Sequence, residues 1–193
     1  MIDHLSQGGL VVYPTSTLPG LGCLLTSEGL DNLFKTKKRH PSKPVSIGVA
    51  NILQAKQLVE FPHCVVDMLD YFPKGSLTII LPTKETLDQR LGGDTIGIRI
   101  FSHPSAIGLA MEVGPITATS ANESEVEPEL DTRTAAETLN LDHFVEGECA
   151  GGLGSTIVKF ENGNSQQAVW SLSIIREGVV PRADVVRWWT TQA

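Results

Sequence analysis

Cysteine is scarce and dispersed in this chain of 193 residues: Cys23, Cys64 and Cys149 are odd in number and far apart. Such spacing argues against a disulfide framework or a clustered-cysteine zinc site and fits a reducing, cytoplasmic setting. Long apolar runs are missing as well. None reaches the ~18 residues of a membrane span, and the first residues lack the basic-then-apolar order of a secretory signal. Cations are outnumbered, 15 Lys and Arg against 22 Asp and Glu, for a formal charge of −7, which argues against non-specific coating of nucleic acid. There is no His-Glu-x-x-His and no P-loop. No acyl-transfer nucleophile pattern occurs, and His4, His40, His63, His103 and His143 are scattered. Without these devices, what is left is a chemistry of cations, hydroxyls and backbone amides, which stabilises phosphate charge and aligns reactants without a protein nucleophile.

Hydrophobic residues make up 41% of the chain and are spread along it, enough for one folded core. Strand and helix patterns alternate. Strands are expected at Leu10–Tyr13, Val45–Val49, Leu77–Leu81, Ile96–Ile100, Ile116–Thr119, Ile157–Phe160, Ala168–Trp170 and Ser173–Arg176, with a marginal one at Phe144–Val145. Helices are expected at Glu28–Lys37 with Ser27 as cap, from Asn51 to Val59 (Ile52, Leu53, Ala55 and Leu58 facing the core), and at Val65–Phe72, Ser105–Val113 and Thr132–Leu139. This alternation predicts an α/β sheet domain. Glu123–Glu129 reads as a flexible acidic loop.

Six polar clusters punctuate these elements. Pro14-Thr15-Ser16-Thr17-Leu18-Pro19-Gly20-Leu21-Gly22 follows the first strand, at the kind of strand end where α/β sheets dock small polar ligands; its glycines permit a left-handed backbone and close approach. Lys35, Lys37, Lys38, Arg39 and Lys43 have no acid among them. They fit an anionic ligand, with cations at i and i+2 straddling a polyphosphate, or a solvated helix end. Arg99 lies inside the apolar strand of Thr95-Ile-Gly-Ile-Arg99; it pairs either with a carboxylate of the protein or with a carboxylate or phosphate of a ligand. Thr117–Asn122, Gly151–Thr156 and Ile175–Gly178 are the remaining clusters.

In this order, the clusters resemble the YrdC-type, single-domain family of threonylcarbamoyl-AMP synthases. The matching residues are Pro14-Thr-Ser-Thr-x-x-Gly-Leu-Gly22, Lys37-x-Arg39, Thr95-x-Gly-x-Arg99 with His103-Pro104, Ser120-Ala-Asn122, Ser155-Thr156 and Arg176-x-Gly178. The resemblance implies a twisted, mixed open sheet with helices, YrdC/RibB-like, and a deep, positively lined cavity, with residues 1–181 as the domain and 182–193 as a tail. It implies synthesis of L-threonylcarbamoyladenylate and pyrophosphate from L-threonine, bicarbonate and ATP, with Mg2+ on the triphosphate, no organic cofactor and no membrane. The product would pass to tRNA through a threonylcarbamoyl-transferase complex. Carried over residue by residue, Lys37, Arg39, Ser120 and Asn122 would be catalytic. The same four with Lys43, Thr95 and Arg176 would bind ATP, and Thr15, Thr17, Arg99 and Ser155 would bind threonine. No protein metal ligand is implied. The chain departs from the family at Pro19 (usually aromatic), Gly48 (often His), Lys74–Thr78 (usually Pro-Gly-Pro-x-Thr) and Glu125 (usually Gly). A paralogue that binds RNA or nucleotide without turnover, or a synthase for another amino acid, is the alternative.

Overall fold

The computed structural model describes residues 1–162 and 170–192. The elements in chain order are α1 (Ile2–Ser6), β1 (Val11–Tyr13), β2 (Gly20–Gly22), α2 (Ser27–Thr36), β3 (Ser46–Val49), α3 (Ile52–Leu58), α4 (His63–Tyr71), β4 (Leu77–Pro82), β5 (Thr95–Ile100), α5 (Pro104–Val113), β6 (Ile116–Ser120), α6 (Thr132–Thr138), β7 (Thr156–Asn162), β8 (Trp170–Arg176) and α7 (Arg182–Thr190). All eight strands join one sheet in the order β1-β2-β6-β3-β5-β4-β7-β8. The β3–β5 and β4–β7 pairs are parallel and the others antiparallel. The α/β expectation holds as a mixed, open sheet.

Helix starts follow local chemistry. The Asn51 side chain accepts from the amides of Leu53 and Gln54, both at 3.0 Å, and starts α3. The Asp131 carboxylate accepts from Thr134 N at 2.8 Å and starts α6. The cap of α2 is Thr26, whose hydroxyl accepts from Gly29 N at 3.2 Å, and not the neighbouring Ser27. Pro104 opens α5, where a missing amide costs nothing. Leu30, Leu33, Ile47, Ile79, Ile98 and Phe160 belong to the larger core. Leu5, Tyr13, Phe101, Leu109 and Ile116 form a second cluster. Leu53, expected inside, is 71% exposed.

Other expectations shift. The polar turn after β1 contains a strand: Gly20–Gly22 pairs with both β1 and β6. Phe144–Val145 makes an isolated bridge to Val12 rather than a strand. From Trp170 onward the two last expected strands are one, β8; Ala168 and Val169 lie outside the described residues. The acidic segment 123–129 is tied to the basic end of α2. Ser124 N donates to Lys37 O at 2.8 Å, and Lys38–Glu123 and Lys43–Glu125 are ion pairs. Among the described residues no helix is long and apolar enough to cross a membrane.

Candidate active site

The polar turn after β1 folds on its own hydroxyls. Thr15 Oγ1 donates to Leu18 O at 2.7 Å and accepts from Thr17 N at 3.2 Å, a side-chain turn of the kind threonine favours. Gly20 and Gly22 serve a different end from the one expected, since neither has a positive φ. A Cβ on either would meet the Tyr13 ring, at 2.6 and 2.8 Å. The bare backbone therefore lets Tyr13 lie flat beneath β2, where its hydroxyl donates to Thr117 O at 2.9 Å. Burial pushes this phenol far above its ordinary pKa.

Arg99 rises from β5 into the same region and is 9% exposed. Its Nε donates to Gly75 O at 3.1 Å; Nη2 donates to Thr17 Oγ1 at 2.9 Å and Ser16 Oγ at 3.3 Å. None of the described ion pairs involves it. Of the two readings open from sequence, pairing with a protein carboxylate is not what the structure contains. Burial pulls the guanidinium pKa down, as for any charge removed from water.

Lys37 and Arg39 part company. Lys38 between them has φ +49, and this left-handed residue sends its neighbours different ways. Lys37 is 1% exposed. Its Nζ donates to Ser120 O at 2.5 Å, Asn122 O at 2.6 Å and Asn122 Oδ1 at 3.4 Å. The three protons of the ammonium thus meet three oxygens of the Ser120–Asn122 turn. Burial, with the Arg39 charge adding to it, draws this ammonium down to about 8. Ser120 Oγ donates to Asn122 Oδ1, and Asn122 Nδ2 donates to Val126 O. Ala121 N donates to Pro19 O at 2.8 Å, which ties this turn to the first. Arg39 instead donates from Nε to Lys43 O at 2.7 Å and from Nη2 to Pro44 O at 2.9 Å.

These elements enclose a cleft of about 200 Å3, with Thr15, Thr17, Arg39, Arg99, Ser120, Ser155 and Arg176 among its lining. Lys37, Lys43, Thr95 and Asn122 are not in the lining. Lys37 and Asn122 stand behind Ser120, Lys43 is outside in its pair with Glu125, and Thr95 opens β5. Among the described residues, three guanidiniums and no carboxylate line the cleft. Arg99 is buried, while Arg39 and Arg176 are more accessible, with the Arg176 guanidinium part-covered at Ser155. Burial lowers the pKa of Arg39 and Arg176 too, and the Arg176 charge adds to the effect on Arg39. Arg176 Nη2 donates to Ser155 O at 2.7 Å. Gly178 is fixed by contact: a Cβ there would be 2.1 Å from Gly154 O.

Sequence reasoning missed Tyr13, Ser46 and Thr78, which also line the cleft. Thr78 had a signal, as the one hydroxyl within the apolar run Leu77–Leu81. Two family departures gain a physical account. A Cβ at Gly48 would fall 1.9 Å from the Phe101 ring, which fills that space here. Glu125 has φ +71, a conformation natural to glycine, the residue that the resemblance leads one to expect there.

A cleft lined by three arginines and several hydroxyls on a mixed eight-stranded sheet defines the class: an α/β domain. The family profile Sua5/YciO/YrdC, described as "Telomere recombination", matches residues 3–178, and the chain belongs to that family. It is 31% identical over 159 residues to the threonylcarbamoyl-AMP synthase of Pseudomonas fluorescens, covering 80% of this chain and 82% of that protein. The crystal structure of P. abyssi Sua5 complexed with L-threonine superposes with a TM-score of 0.82 at 27% identity, over 96% of this chain and 55% of that one. This chain therefore spans about half of that protein. E. coli YciO shares the fold, with a TM-score of 0.76 at 21% identity over 92% of this chain and 87% of its own.

Proposed function

We propose that this protein forms L-threonylcarbamoyladenylate and pyrophosphate from L-threonine, bicarbonate and ATP. The observation that carries the reading is charge without counter-charge: Arg39, Arg99 and Arg176 converge on one cleft whose lining has no carboxylate. The similarity to a threonylcarbamoyl-AMP synthase and to a threonine-bound Sua5 supports it.

In this reading Arg99, at the buried end, takes the threonine carboxylate, with the Thr17 and Ser155 hydroxyls beside it and Thr15 shaping the turn. Arg39 and Arg176 face the triphosphate; Lys43, held outside the lining by Glu125, would have to leave that pair to join them. Ser120 holds the nucleotide, and Asn122 and Lys37 fix its turn from behind; Thr95 lies outside the lining. The threonine amine condenses with bicarbonate to give a carbamate and water. A carbamate oxygen then attacks the α-phosphorus, the bond to the β-phosphate bridge breaks, and pyrophosphate leaves. The guanidiniums offset the charge that develops on the leaving group. On this reading Mg2+ is carried by the triphosphate oxygens. The product is an activated acyl donor, which a transferase complex acting on tRNA would consume.

The test is pyrophosphate release by the purified protein with MgATP, bicarbonate and L-threonine, with mass-spectrometric detection of the adenylate. Release that requires all three is expected. ATP binding with no release would replace the reading with a nucleotide-binding paralogue. Release driven only by another amino acid would reassign the substrate.

A further inference from the structure

Thr78, the threonine this chain keeps from the Pro-Gly-Pro-x-Thr pattern of the resemblance, lines the cleft without an assigned role. It is 2% exposed, and its Oγ1 lies 2.7 Å from Ser155 Oγ, itself 5% exposed. Both line the cleft. β4 pairs with β5 through Ile79 and Ile98, so the next residues along, Thr78 and Arg99, are cross-strand neighbours. On the other side Thr78 pairs with Ile157 of β7, two residues from Ser155. Gly97 makes the arrangement possible. A Cβ there would be 3.3 Å from Thr78 Cγ2 and 2.7 Å from Ser46 Oγ. The Thr78 methyl thus packs over Gly97, and its hydroxyl is turned toward Ser155.

Two hydroxyls that share one hydrogen bond leave one proton over. Whichever of Thr78 and Ser155 donates, the pair retains one donor and free lone pairs. In a buried site those groups call for a polar partner, because leaving them unmet costs more than an ordinary hydrogen bond is worth. The pair stands beside the guanidinium that would take the amino acid's carboxylate. A β-hydroxyl, three bonds from a carboxylate carbon, has the reach and the donor–acceptor character to meet it.

We propose that Thr78 is a positioning and specificity-determining residue: it orients the Ser155 hydroxyl, and the pair reads the side-chain hydroxyl of the amino acid held by Arg99. This rests on the synthase reading above. It predicts discrimination against the analogue that lacks the hydroxyl, since sites built to bond a hydroxyl reject its absence strongly.

The experiment compares L-threonine with L-2-aminobutyrate, by calorimetric binding and by kcat/KM for pyrophosphate release, in wild type, Thr78→Val and Thr78→Ser. Valine keeps the volume and removes the hydroxyl. The expected result is a loss of about 10-fold or more for threonine in Thr78→Val, carried by KM. 2-Aminobutyrate is expected to stay unchanged and Thr78→Ser to recover the threonine preference. An equal loss for both amino acids, or none for either, overturns the proposal in favour of a packing role. If Thr78→Val does not fold, the wild type and Thr78→Ser still decide: turnover with no preference for threonine over 2-aminobutyrate overturns the inference and leaves the synthase reading standing. A wild type that neither binds nor uses either amino acid removes the synthase reading itself, and this one with it.

Discussion

The buried ammonium of Lys37 couples the cleft to pH through the turn it holds. Protonated, it satisfies three turn oxygens. Neutral, it has two protons and a lone pair, so one oxygen loses its donor and faces that lone pair. With its pKa drawn down to about 8, activity is expected to fall along an alkaline limb near that value. Stability moves the other way. The folded-state pKa lies below the ordinary 10.5, so between about 8 and 10.5 the unfolded chain binds more protons. The unfavourable contribution of this charge is therefore full below 8 and relieved as pH rises. Loss of activity above pH 8 with no loss of folded protein by circular dichroism would carry this signature. Lys37→Met should be flat over the same range, at a rate lower on the order of 10²-fold. A limb that persists at the same pH in Lys37→Met would assign it to the substrate amine or to another group.

The sequence made some elements plain because one local force decides each. β-Branched residues fill β4 and β5, and Asn51 marks the start of α3. β2 was illegible because a three-residue strand with two glycines has almost no intrinsic preference for extension. It is a strand because β1 and β6 flank it and the Tyr13 ring takes the space its side chains would need. The candidate site divides the same way. Arg99 stood out as a charge in an apolar strand, whereas the opposed directions of Lys37 and Arg39 depend on one left-handed residue, Lys38. At the C-terminal end, Trp188 and Trp189 lie in the 182–193 segment expected as a tail. In the fold, α7 lays Trp188, 5% exposed, against Phe72 with ring centroids 6.2 Å apart, and Trp189 meets Phe160 at 5.6 Å. Trp188→Ala should therefore cost about 3–5 kcal/mol, as for other buried Trp truncations. KM values at a temperature where the variant is folded should be unchanged, since no α7 residue lines the cleft. An unaltered melting temperature would mean that α7 is dispensable to the core.

Across the whole molecule, a net charge of −7 coexists with a cleft lined by three arginines. Folding brings these cations together without a carboxylate, and burial disfavours the charged form of each. The fold thus holds unfavourable charge that an anion would relieve, so bound anion should register as stability. At about 100 times its dissociation constant, a ligand specific to the folded state adds about 2.7 kcal/mol. For a chain of this size that is a rise of roughly 5–10 °C in melting temperature. The contrast between deeply buried Arg99 and the more accessible Arg39 and Arg176 makes the two ends separable. Pyrophosphate should act mainly at the mouth, so Arg176→Ala should remove much of its shift and leave that of L-threonine in place, while added salt weakens the pyrophosphate effect first. Equal loss of both shifts in Arg176→Ala would mean that the cleft responds as a single charge cluster, without an amino-acid end and a phosphate end.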